Sequence, residues 1–104
     1  MMARVLQGPV EIVDFGPRQI ALGESFNRQP SGNSAMWVKT TSVPTTARIR
    51  FNGTVLSTVV SGAALSAEIP AALLAQAWPL PIALVLPQGQ VLAGPVTFEI
   101  KPAP

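Results

Sequence analysis

The chain has no cysteine, no histidine and no tyrosine. Without cysteine there is no disulfide, no thiolate nucleophile and no thiolate ligand. Without histidine the commonest general base and a principal zinc ligand are missing as well. Charge is equally scarce: Asp, Glu, Lys and Arg make up 12% of the residues, against roughly 25% in an average domain. The isoelectric point near 10.0 therefore rests on a net charge of only +2. Arg4, Arg18, Arg28, Lys39, Arg48, Arg50 and Lys101 stand singly or in one pair, so they form no stripe that follows a phosphate backbone, and nucleic acid is not an expected partner. Long apolar runs are missing too. Residues 69–98 carry no charge, but Pro70, Pro79, Pro81, Pro87 and Pro95 interrupt them, whereas a membrane helix needs ~20 continuous apolar residues. Met1–Val13 contains Arg4, Gln7, Pro9 and Glu11 and so lacks the apolar core of a secretory signal, which predicts cytoplasmic synthesis.

What is present is a single fold's worth of apolar residues. The 104 residues are 48% hydrophobic, too apolar and too weakly charged for disorder and too short for a second core. They are expected to form one domain over 1–104, with 1–9 and 102–104 as terminal extensions. Eight glycines and eleven prolines supply many turns. Apolar residues recur with period 2, which places them on one face of a sheet. Val96, Phe98 and Ile100 alternate with Thr97, Glu99 and Lys101; Leu65, Ala67 and Ile69 alternate with Ser66 and Glu68; Ile49 and Phe51 alternate with Arg48 and Arg50. Between Ala47–Phe51 and Thr54–Val60, Asn52-Gly53 predicts a type I′ hairpin turn, because both residues tolerate positive φ. Asn52-Gly53-Thr54 also matches a glycosylation acceptor, but the turn accounts for it and no export signal accompanies it. Further strands are predicted at Val10–Phe15, Gln19–Leu22, Ala35–Thr40 and Leu80–Leu86, the last followed by a turn at Pro87-Gln88-Gly89-Gln90. Ala71–Ala77, bounded by Pro70 and Pro79, predicts one short helical segment of about two turns. The expectation is an all-β sandwich of seven to nine short strands, with a closed barrel as the competing architecture.

Arg48–Ile100 resembles the IPT/TIG family of immunoglobulin-like domains. The stretch Arg48-Ile49-Arg50-Phe51-Asn52-Gly53-Thr54-Val55-Leu56-Ser57-Thr58 is similar to that family's strand, glycine turn and strand. Leu65-Ser66-Ala67-Glu68-Ile69-Pro70-Ala71-Ala72-Leu73-Leu74 looks like its strand ending in Ile-Pro and running into a Leu-Leu turn. Pro81–Pro87 and Phe98-Glu99-Ile100 resemble its closing strands, and Ile12–Pro17 its opening one. The resemblance implies an immunoglobulin-like sandwich that binds or spaces other modules and has no shared catalytic residues.

Candidate chemistry is thin. The carboxylates are Glu11, Asp14, Glu24, Glu68 and Glu99, and a glycosidase would need two of them facing each other across a cleft. Serines are plentiful, but the remaining activators, Lys39 and Lys101, make no Ser-x-x-Lys arrangement. Asp14, Glu24, Asn27 and Asn33 offer oxygen ligands without the dense Asp-x-Asp-x-Asp spacing of a calcium loop. The chain reads as a non-enzyme with neither metal nor cofactor.

Binding remains. Alternation leaves two arrangements for Trp37: outward as an anchor if Met36 and Val38 point inward, or inward beside Ala35 as core. Trp78, after the helical segment, is expected to cover one end of the core. Arg48 and Arg50 share one strand face, suited either to solvent or to a partner's acids. Leu80–Leu86 is apolar on both faces, and a sandwich core covers one face of a strand, so Ile82 and Leu84 join Trp37, Arg48 and Arg50 as candidate contact residues. The leading expectation is a structural, protein-binding subunit of a larger assembly such as a bacteriophage virion, in its capsid decoration, tail or fibre. The alternative is a carbohydrate or cell-surface binding module built on Trp37.

Overall fold

The computed structural model describes residues 10–75 and 79–102. Nine strands follow one another: β1 (Ile12–Gly16), β2 (Gln19–Ala21), β3 (Ser34–Thr40), β4 (Arg48–Phe51), β5 (Thr54–Val55), β6 (Thr58–Ser61), β7 (Ala64–Ile69), β8 (Pro79–Val85) and β9 (Val91–Lys101). They form two sheets, one ordered β1-β3-β7-β6 and the other β2-β9-β8-β4-β5. We call these sheets A and B. The two sheets make an all-β sandwich in which β3 and β7 occupy the middle of one sheet and β9, β8 and β4 the middle of the other. The pairing is antiparallel except for the short β2 against β9.

The apolar alternation builds the core directly. In sheet A the register sets Phe15, Val38, Leu65 and Val60 side by side and Met36 beside Ala67, all facing sheet B. In sheet B, Ile49 pairs with Leu84, Phe51 with Ile82 and Leu80 with Phe98. The Phe98 ring lies at the centre, 5.5 Å from Phe51 in an edge-to-face contact and 6.0 Å from Phe26. Among the described residues the two buried polar side chains end β3: Ser34 accepts the Phe26 N–H, and Thr40 donates to the Ala63 carbonyl. Each polar atom is thereby paired at the rim of the core, where an unpaired one would be costly.

The sandwich expectation holds, and three local expectations are corrected. Thr54–Val60 is two strands in different sheets. Leu56 N–H donates to the Ile49 carbonyl and Thr58 Oγ1 accepts the Ile49 N–H, so the chain follows β4 and then crosses over to β7. The last strand begins at Val91, five residues before the alternation shows, because Gly94 at φ 96° lets it bulge past Ala83. The helical segment is a single 3-10 turn, Ala71–Leu74, closed by Leu73 N–H to the Pro70 carbonyl. It has no side-chain cap to extend it, and Gln76 to Trp78 lie outside the described residues, as do 1–9 and 103–104. The hairpin turn is as expected, with Asn52 at φ 49° and Gly53 at φ 87°. Among the described residues no helix is long and apolar enough to cross a membrane.

Candidate functional site

The outer face of sheet A gathers outward-facing residues of β1, β3, β7 and β6 into rows. One row runs Gly16, Trp37, Ser66, Val59 and the next Asp14, Lys39, Ala64, Ser61. Met36 and Val38 are buried, so alternation turns Trp37 outward, which resolves its two arrangements. Its side chain keeps 37% of its surface exposed. The indole lies over Gly16, where a side chain would collide with it: a Cβ there would stand 2.5 Å from Cζ2 and 2.7 Å from Nε1. Lys39 Nζ sits 5.9 Å from the ring centroid, within reach of a cation–π attraction. Val59, at the far end of the row, is 67% exposed. A large aromatic set flat on a sheet, with an apolar neighbour two strands away, is the kind of group that anchors a contact.

Charge on this face is low and mostly satisfied within the chain. Asp14 pairs with Arg18 at 2.7 Å and also accepts the Phe15 N–H. The Arg18 hydrogen bond, then that backbone donor, hold the Asp14 carboxyl below the usual aspartate range. Arg18 in turn lies 4.4 Å over the Phe15 ring. Glu68, opposite Ala35, accepts from Ser31 Oγ at 2.6 Å and Asn33 Nδ2 at 3.2 Å. A groove of about 620 Å³ runs beside it, past Asn33, Ser66, Val59 and Leu73.

The other sequence-derived candidates lie in sheet B. Ile82 and Leu84 are corrected: both are completely buried and face the core beside Phe51 and Ile49, so neither side chain can meet a partner. On the second face of this strand Ala83 and Val85 are also buried within the single chain, while Pro79 and Pro81 stay exposed. β8 is the middle strand of five, and its outward residues pair with Arg50 and Arg48 on one side and Val91 on the other. Arg48 Nη1 donates to the carbonyls of Ala47 and Thr45, at 2.8 and 3.4 Å, which ties it to its own backbone. Arg50 borders a shallow groove with Pro81, Ala83 and Pro95.

The structure thus separates the five candidates: Trp37 on the outer face of sheet A, Arg48 and Arg50 on the outer face of sheet B, Ile82 and Leu84 in the core. Sequence reasoning missed Val59, because Thr54–Val60 read as one strand gives no sign that its second half sits beside Trp37's row. Glu68 and Glu99 point away from opposite sheets, so these two carboxylates cannot flank one bond. No protein-family model matches this chain, and no curated protein matches it.

Proposed function

We propose that this chain is a non-catalytic binding module that works as a building block of a larger protein assembly and makes its contact through the outer face of sheet A. The observation that carries this reading is Trp37, held flat over Gly16 in the middle of that face with more than a third of its surface open. The low charge of the chain supports it. Twelve charged residues cannot give a 104-residue domain the roughly 25–35% ionic surface of a typical soluble monomer. The resemblance of Arg48–Ile100 to the IPT/TIG family supports a binding or spacing role, and a bacteriophage virion is the setting this reading favours. Sedimentation velocity over a range of concentrations tests it. The chain is expected to form species larger than a dimer whose share grows with concentration, and Trp37→Ser is expected to abolish them; their persistence in that variant contradicts the reading.

A second reading has its own observation. The groove beside Glu68, with Asn33 and Ser66 on its wall and Trp37 on the neighbouring strand, offers the pairing of ring face and hydroxyl partners that a sugar uses. Binding to a glycan array that disappears in Trp37→Ala would favour it.

A further inference from the structure

A sandwich of two open sheets has four edge strands, and each edge exposes a row of unpaired backbone N–H and C=O groups. Among the described residues the edges are β1 and β6 in sheet A and β2 and β5 in sheet B. Three of them are closed to further pairing. β1 is irregular between Ile12 and Asp14, carries the Asp14–Arg18 ion pair beside its end and runs into Pro17. β2 has three residues and β5 two. β6 has none of these devices. Its pairing to β7 is regular over all four residues, Thr58 to Ser61, and it contains neither proline nor charge, with Val59 exposed at its centre.

The surroundings of β6 point to its partner. From Phe51 to Ala67 the chain contains no charged residue, and this stretch covers β5, β6 and most of β7. When two copies of one chain pair about a two-fold axis, residues near the axis meet their own copies, and any charge there meets a like charge. A second copy can therefore lie along β6 without like charges meeting across the axis.

We infer that β6 pairs antiparallel with β6 of a second copy, joining the two A sheets into one continuous sheet of eight strands. The partner is this chain itself, and the recognition is backbone hydrogen bonding along Thr58–Ser61 with Val59 packed against its copy or the residue beside it. A two-fold axis perpendicular to the sheet keeps both outer faces on the same side. The dimer therefore presents two Trp37 rows on one surface, which deepens the assembly reading above and rests on it.

The test uses the full chain and a charge exchange at Val59, whose exposure lets a polar residue replace it without entering the core. In sedimentation velocity the unmodified chain is expected to contain a dimer, and Val59→Lys and Val59→Glu are each expected to sediment as monomers with an unchanged circular dichroism spectrum. An equimolar mixture of the two variants is expected to restore the dimer, because unlike charges then meet across the axis. Persistence of the dimer in both single variants overturns the inference, as does an unmodified chain that is monomeric at every concentration, or a mixture that stays monomeric. Trp37→Ser separates this from the assembly reading: it should leave the dimer and remove only the larger species. Larger species that depend on Trp37 but form without a Val59-sensitive dimer would sink the β6 contact alone.

Discussion

Trp37 covers Gly16 so closely that no side chain fits between the indole and the backbone of β1. The glycine is what allows the ring to lie down. Gly16→Ala should therefore lift the indole from the sheet while leaving the sandwich folded, since the ring is at the surface and has room to turn. The expected loss of stability is about 0.5–1.5 kcal/mol, the scale of one displaced rotamer. A shifted Trp37 indole resonance in NMR, together with weakened association in sedimentation, checks the effect; an unmoved resonance would show that the ring does not rest on Gly16.

Thr58 fastens the crossing between the sheets. Its Oγ1 accepts the N–H of buried Ile49 at 2.9 Å and donates to the Leu56 carbonyl at 2.8 Å. Thr58→Val keeps the shape and removes both bonds, leaving the Ile49 N–H unsatisfied at a cost of roughly 1–3 kcal/mol. Urea denaturation should show that loss, and Thr58→Ser should recover most of it.

Gly94 is constrained from two directions. Its φ of 96° is unfavourable for any side chain, and a Cβ would stand 2.9 Å from the Ile82 carbonyl oxygen, which is backbone and cannot rotate away. Gly94→Ala is expected to destabilise the fold by about 1–3 kcal/mol, measured as a lowered Tm. A variant as stable as the unmodified chain would mean that β9 takes a different path past Ala83.

Much of this architecture is legible in the residues, and the reasons for the rest are physical. Period-2 alternation identifies Leu65, Ile69 and Phe98 as inward, and Asn52-Gly53 as a turn, because both signals are local; at β3 it leaves Met36 and Val38 or Trp37 as the inward set. Alternation says nothing about which sheet a strand joins, so the switch at Leu56–Thr58 is silent, and with it the neighbourhood of Val59 and Trp37. β9 is hidden before Val96 because Gly94-Pro95 reads as a break when it is a bulge. Ile82 and Leu84 misled for a subtler reason: apolar residues on both faces of a strand signal cover, but not whose. Ala83 and Val85 are buried within the chain, in register with Arg50 and Arg48, two positions the pattern marks as polar.

Asp14 provides a pH-dependent check on the β1 end of the face. Its folded pKa is lowered by Arg18 and the Phe15 N–H, so folding favours the charged form. That contribution is present above the unfolded aspartate value and is lost as pH falls through the lower, folded one. Because both partners are exposed to water the effect on stability is small. A carboxyl NMR titration should find Asp14 below an ordinary aspartate, and Arg18→Gln should raise it; an ordinary value in the unmodified chain would contradict the ion pair.

The most direct test of the central claim follows the indole itself. The chain contains two tryptophans, so in a Trp78→Phe variant all tryptophan emission comes from Trp37, and acrylamide quenching reports how far that ring is open to solvent. If the outer face of sheet A is the assembly surface, quenching is strong in dilute solution and falls as concentration drives association. Quenching that stays equally strong while larger species accumulate would contradict the account, because the chains would then be meeting through some other surface.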